Sequence, residues 1–266
     1  MKFNIGITGY RGSLGKTIKK YKTKSKYFFY KDDVRNKKKL SSWFKQNNLN
    51  VIFHLAAIVP IKTVNKNKKK AYEVNYIGTK NIVDISRNLN IKWFFLASTS
   101  HVYKSSKIPI KETFSKVPIS YYGKTKWLAE KYVQKNLKNY CIGRIFSTSN
   151  KNQRKNYLIP DLKAKIKKSK KKLILKDLNH YRDFISMYDI TKVIHKLLKK
   201  NFIGTVNIGS GKGIYLKDIA KIILNKYKKS AIFVDSKKIT YLIANNQKVK
   251  KITKLKFNSN IVKMIF

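Results

Sequence analysis

Tyr122 and Lys126 stand four residues apart in Tyr122-Gly-Lys-Thr-Lys126, a spacing that sets both side chains on one face of a helix. A phenol that ionises near pH ~10 is a poor base at neutrality, but a neighbouring ammonium favours the phenolate and makes it usable as an acid or base. Spacing alone does not single out this pair, because Tyr27 with Lys31 and Tyr76 with Lys80 repeat it. Its place in the chain does. A hydroxyl-rich turn, Ser98-Thr-Ser-His-Val-Tyr103, precedes it, and three glycines spaced three apart open the sequence in Thr8-Gly9-Tyr-Arg-Gly12-Ser-Leu-Gly15. Glycines so placed allow a tight turn, let backbone approach phosphates without a Cβ in the way, and let the next helix pack closely. The unpaired N–H groups at the start of that helix then face the diphosphate of a dinucleotide.

These groups need elements that bring them together. Apolar runs predict strands over 3–8, 27–30, 51–55, 91–97, 140–145 and 205–208, and periodic stretches predict helices over 14–21, 40–46, 70–88 and 122–137. The rhythm implies an α/β fold, a Rossmann-like doubly wound parallel sheet with a smaller C-terminal substrate-binding part. It loosens near residue 150, which divides a dinucleotide-binding part with the catalytic residues, 1–149, from a mainly substrate-binding part, 150–266, with segments returning to the first sheet. In an open parallel sheet ligands collect beyond the carboxyl ends of the strands. His54-Leu-Ala-Ala57 and Ser98 to Tyr103 fall there, small residues leaving room for a flat cofactor and hydroxyls holding a substrate oxygen.

Composition narrows the classes. Sixty-two Lys plus Arg against 12 Asp plus Glu give a formal charge of +50. No nucleic-acid motif or aromatic-interleaved groove accompanies that charge, so it reads as lysine-rich drift on solvated faces, with no specific nucleic-acid partner. Cys141 is the sole cysteine, and His54, His101, His180 and His195 lack ligand spacing, so neither disulfide nor metal is expected. His195 reads as lying on a helix exterior, His54 as supporting a strand end, and Phe94, Phe95 and Trp127 as core. The longest apolar stretch, 51–61, is short of a membrane span and interrupted by Pro60, and the N-terminus lacks a signal-peptide layout. A cytoplasmic protein without membrane insertion is expected.

In this order the motifs resemble the extended short-chain dehydrogenase/reductases of the nucleotide-sugar type. The resemblance runs through Thr8 to Gly15, His54 to Ala57, Asn75-Tyr-Ile-Gly-Thr79, Ser98 to Tyr103, Tyr122 to Lys126, Arg182-Asp-Phe184, Asp189 and Asn207-Ile-Gly-Ser-Gly211, and weakly through 242–248. It implies Thr99 as the hydroxyl on the sugar oxygen, Tyr122 as acid/base and Lys126 as its partner, which also holds the cofactor ribose. It implies a cofactor site of Gly9, Tyr10, Arg11, Gly12 and Gly15, with Leu55, Ala56, Ala57 and Asn75, and with Asp33 and Val34 at the adenine. Ser100, His101, Ser147 and Arg182 are implied substrate contacts, Arg182 on the diphosphate. The reaction implied is hydride transfer between nicotinamide C4 and a sugar carbon while Tyr122 moves the proton on the attached oxygen. A homodimer through helices 70–88 and 122–137 is the family-like expectation.

Departures refine the subclass. The family's 4,6-dehydratases carry an Asp-Glu pair after the catalytic threonine, where this chain has Ser100-His101, so an epimerase or 4-keto reductase is expected. The short segment 27–36 favours the reductases, whereas Val102-Tyr103 is closer to the epimerases. An Asn usual beyond Arg144 is replaced by Ser147 or Asn150, and Arg144 is a further candidate anion contact. The cofactor is NAD or NADP: Asp32 suits free ribose hydroxyls, Lys31 a 2′-phosphate. Two rival readings are a reductase of another carbonyl compound and a non-catalytic nucleotide-binding protein with a basic RNA- or membrane-facing surface.

Overall fold

A strand that is apolar at successive positions can be buried on both faces, because neighbouring side chains point to opposite sides. Val51–His54 is such a strand: Val51 and Phe53 join one core layer and Ile52 the other. Trp93–Thr99 repeats the device, with Trp93 and Phe95 on the first side and Phe94 and Leu96 on the second. Two helical layers therefore cover the sheet.

The computed structural model describes residues 2–151, 153, 156–169, 172–257 and 260–266. Its first part alternates strand and helix: β1 (Asn4–Thr8), α1 (Ser13–Lys20), β2 (Lys26–Phe29), α2 (Lys37–Gln46), β3 (Val51–His54), α3 (Ile61–Lys66), α4 (Lys68–Tyr72), α5 (Gly78–Asn88), β4 (Trp93–Thr99), α6 (Tyr121–Asn136) and β5 (Tyr140–Ile145). There follow β6 (Ser147–Ser149), α7 (Leu158–Lys168), β7 (Ile174–Lys176), β8 (Tyr181–Ser186), α8 (Met187–Lys199) and β9 (Gly204–Ile208). The chain finishes with β10 (Gly213–Tyr215), α9 (Leu216–Lys226), β11 (Ile232–Val234), β12 (Tyr241–Leu242), α10 (Gln247–Thr253) and α11 (Ile261–Ile265).

The main sheet has the order β2-β1-β3-β4-β5-β9 and every pairing in it is parallel. The chain leaves β1 for β2 on one side and returns to β3 on the other, so a crevice opens beyond the carboxyl ends of β1 and β3. Strand β9 comes back from the later half to pair with β5. A smaller sheet has the order β10-β8-β12 with β6 also on β8, and α7, α9 and α11 share a separate core with Phe184 of β8. No helix of the described residues is long and apolar enough to cross a membrane.

The helix expected over 70–88 is present, running through α4 and α5 with a π-helical turn, Glu73–Ile77, between them, in which Asn75 is fully buried. One expectation needs correction. His195 is not on a helix exterior but 6% exposed, with Nδ1 2.8 Å from the Thr191 carbonyl and Nε2 2.6 Å from the Tyr27 hydroxyl. The reason is the breadth of α8's buried face, which packs on the sheet and on α1 at once and includes Ile190, Val193, Ile194 and Leu197.

Candidate active site

The glycine turn is built by close approach. Gly9 takes a φ of +73°, and a Cβ there would lie 2.5 Å from the Ala56 nitrogen. One on Gly15 would lie 2.4 Å from the Tyr10 Cα, so α1 meets the turn only because that position is bare. The Gly12 N–H donates to the Gly9 carbonyl at 2.9 Å, which closes the turn and leaves the first turn of α1 facing the crevice.

A buried chain of hydrogen bonds ties this turn to α6. Thr8 Oγ1 lies 2.7 Å from His54 Nδ1, and His54 Nε2 lies 2.9 Å from Thr79 Oγ1. Since Thr79 donates its own proton to the Asn75 carbonyl at 2.7 Å, Nε2 of His54 is the donor and Nδ1 accepts from Thr8. Burial, reinforced by the charge of Lys126, holds that imidazole neutral. Asn75 brackets Ile58, accepting from its N–H at 2.7 Å and donating to its carbonyl at 3.0 Å. It also donates to Thr125 Oγ1 at 3.1 Å, and Thr125 donates to the Tyr122 carbonyl at 2.8 Å.

Helix α6 begins where its cap dictates. Ser120 accepts from the Gly123 N–H at 3.0 Å, which puts Tyr122 in the first turn. The same Ser120 hydroxyl lies 3.2 Å from His101 Nδ1, and the His101 and Tyr122 rings meet edge to face with centroids 6.0 Å apart. Thr99, the last residue of β4, lines the same cleft as Tyr122, and its hydroxyl acts on the phenol. Burial raises the Tyr122 phenol above its ordinary range, Tyr157 adds to the rise, and the Thr99 hydroxyl works against it. Lys126 is 1% exposed, and burial pushes it down to about 8 against the pull of Glu130. The lowering of Tyr122 expected from Lys126 is not found: burial dominates, and the phenol keeps its proton.

A cleft of about 890 Å³ collects these groups. Its lining includes Gly9, Gly12 and Gly15, Leu55 and Ala57, Thr99, Ser100, His101 and Tyr122, and Ser147 and Arg182. Sequence reasoning missed Gln153, Tyr157, Lys165 and Lys176 in that lining, which come from a loop, α7 and β7 and carry no local signal. Arg182 donates to the Thr240 carbonyl and hydroxyl at 3.0 and 2.9 Å, and burial pushes it down to about 10, so it stays charged at neutrality. Burial and the Arg182 charge together push His101 down to about 4, leaving a neutral imidazole.

Other expected residues lie off the cleft wall. Tyr10 packs on Phe29 and accepts from Arg11, which is exposed. Ala56 donates to Thr8 Oγ1 at 3.4 Å, Val34 is core, and Asp33 is exposed in an ion pair with Arg35, which also reaches Glu73. Asp32 pairs with Lys39 at 3.0 Å. Asn150 does not reach the cleft, whereas Ser147 and Thr148 do. Arg144 is no anion contact: it is buried and bound to Glu130 at 2.7 Å.

The geometry has close counterparts. The profile of the family described as GDP-mannose 4,6 dehydratase matches residues 6–263. The UDP-glucose 4-epimerase of Mycoplasma genitalium is 30% identical over 274 residues, covering 89% of this chain and 79% of that protein. Among solved structures, dTDP-4-dehydrorhamnose reductase from Bacillus anthracis in complex with NADP has a TM-score of 0.84 at 20% identity, covering 97% of this chain and 95% of its own. UDP-glucose 4-epimerase from Thermus thermophilus in complex with NAD has a TM-score of 0.83 at 17% identity, covering 98% and 97%.

Proposed function

The chain belongs to the GDP-mannose 4,6 dehydratase family, within the extended short-chain dehydrogenase/reductases, and we propose that it is an NAD(P)-dependent epimerase or 4-keto reductase of a nucleotide-linked sugar rather than a dehydratase. The observation that carries this reading is the placement of Thr99 and Tyr122 together in the cleft that the glycine turn also lines. That turn fits a dinucleotide: backbone comes so close at Gly9 and Gly15 that no Cβ is admitted, and the start of α1 opens toward the cleft. The bound dinucleotide supplies the hydride acceptor or donor.

The chain's own residues do the rest. Thr99 and Tyr122 hold the sugar oxygen between two hydroxyls, and Tyr122, protonated at neutrality, gives its proton to that oxygen as a ketone is reduced. In the reverse sense the phenol oxygen takes the proton back. Lys126, charged below about 8, lies one helical turn behind Tyr122, where it stabilises the phenolate formed when the proton leaves. Arg182 suits one arm of a diphosphate, with Lys165 and Lys176 lining the same cleft.

The epimerase or reductase subclass is favoured because Ser100 and the neutral His101 occupy the wall where an elimination would need carboxyl groups. Asp33 and Val34 are assigned to the adenine end and Ser147 to the sugar. NAD and NADP both remain compatible with Asp32 and Lys31. The same reading makes the enzyme cytoplasmic, a homodimer through α5 and α6, with residues 1–149 and 150–266 as its cofactor and substrate parts. Mixing the purified protein with NADH or NADPH and UDP-, GDP- and dTDP-linked 4-keto sugars and their isomers tests it. Loss of nicotinamide absorbance marks reduction, and isomer conversion without net cofactor use marks epimerisation. Tight cofactor binding with no turnover of any member would sink the sugar reading.

A further inference from the structure

Glu130 stands one helical turn beyond Lys126 on α6, so Tyr122, Lys126 and Glu130 follow one another along one face at intervals of four. Its side chain is wholly buried. A carboxylate in such a place is tolerated only when it is paired and hydrogen-bonded. Arg144 supplies both: its Nε donates to the two carboxylate oxygens at 3.1 Å each, and a terminal nitrogen donates to Oε2 at 2.7 Å. The Ser98 hydroxyl donates to the other oxygen. Arg144 is further held by the Tyr103 hydroxyl at 2.7 Å and the Glu112 carbonyl at 3.1 Å.

That carboxylate is bound to Arg144, and Lys126, 1% exposed, is buried one helical turn away on the same face of α6, within reach of its charge. Around Lys126 and this carboxylate, His54 on β3 is neutral and Tyr122 keeps its proton, while Arg144 on β5 and Lys116 from the loop before α6 are the basic groups that act with Glu130. Glu130 is the anion whose charge supports the Lys126 ammonium against its desolvation. We propose that Glu130 is a positioning residue for the reaction centre: it keeps Lys126 charged behind Tyr122, while Arg144 and Ser98 fix the carboxylate and limit how strongly it acts. The proposal rests on the reading of Lys126 as the partner of Tyr122.

This arrangement makes opposite predictions for its two ends. Neutralising Glu130 leaves Arg144 and Lys126 as uncompensated buried cations, so Lys126 gives up its proton at lower pH. Removing Arg144 instead frees the carboxylate to act on Lys126 alone, so Lys126 holds its proton to higher pH. A loss of packing alone would not shift the lysine in opposite directions.

The test is a pH titration of the Lys126 Cε signal in ¹³C-lysine-labelled protein, the signal being assigned by its loss in Lys126→Arg. Glu130→Gln is expected to move the midpoint acid by about one pH unit or more, Glu130→Asp by less, and Arg144→Met in the alkaline direction. Unchanged midpoints in folded Glu130→Gln and Arg144→Met, or shifts of the same sign, overturn the proposal. Should Glu130→Gln fail to fold, Glu130→Asp with Arg144→Met decides by the same signs. Nicotinamide fluorescence on adding NADH or NADPH to the wild-type chain is read separately: failure to bind either would sink the functional reading without touching the lysine titration.

Discussion

Asn75 donates to the Thr125 hydroxyl at 3.1 Å across the gap between the π-helical turn and α6, while its carbonyl oxygen and amide bracket Ile58. One side chain thus spans the loop after β3 and the helix carrying Tyr122. Asn75→Leu leaves the Ile58 N–H and carbonyl without that partner. Unfolding in urea is expected to show a loss of about 1–3 kcal/mol, the cost of stranding such groups. A midpoint equal to the wild type would mean the bracket contributes nothing.

Tyr122→Phe removes the proton that the site moves and keeps the ring. Turnover of the active sugar is expected to fall by about 10²–10⁴-fold, the usual contribution of a general acid. Nicotinamide fluorescence on cofactor binding is expected to persist. Retained turnover would assign the proton to another group.

Lys126 gives stability a pH dependence of known sign. Its folded value, about 8, lies below its unfolded value near ~10.4, so the unfolded chain binds more protons between them and stability rises with pH across that window. The contribution is about 3 kcal/mol when integrated over the full window. Compared with Lys126→Met, the wild type should therefore gain stability in chemical denaturation between about pH 8 and pH 10. Parallel curves for the two proteins would show that the lysine is not desolvated.

The +50 charge should make the fold sensitive to salt. With 62 basic residues against 12 acidic ones, most surface cations face other cations. Raising ionic strength from about 0.01 to about 0.1 M shortens the screening length from about 30 to about 10 Å, which weakens that repulsion. The melting temperature should climb over this range in sodium chloride. A falling one would mean that the few ion pairs outweigh the repulsion.

What could be read from the sequence was local. Gly9 to Gly15, Thr99, and Tyr122 with Lys126 each announce themselves within a dozen residues, and the three glycines, Thr99 and Tyr122 line one cleft. The strands were legible because Val51–His54 and Trp93–Thr99 are apolar on both faces. Residues defined by distant partners were not. His195 looked solvated beside Lys192, Lys196 and Lys199, yet its partner Tyr27 arrives from β2. Arg144 looked like an anion fork until Glu130, on another element, claimed it. Tyr157 and Lys176 reach the cleft only because the second part of the chain folds over the first, and no periodicity encodes that.

The late return of β9 and α8 sets the order in which the enzyme can be made. Helix α1 packs against α8, with Ile18, Ile190 and Val193 in one core cluster, and β5 finds its second neighbour only in β9. A nascent chain that has reached β5 therefore carries a bare apolar face and an open strand edge, both prone to self-association. The helix that follows the glycine turn gains its cover from α8, so dinucleotide affinity should emerge late in synthesis, after the substrate-side segments exist. Cofactor capture would then report that the whole chain has closed, and a fragment of the first part alone should aggregate before it binds.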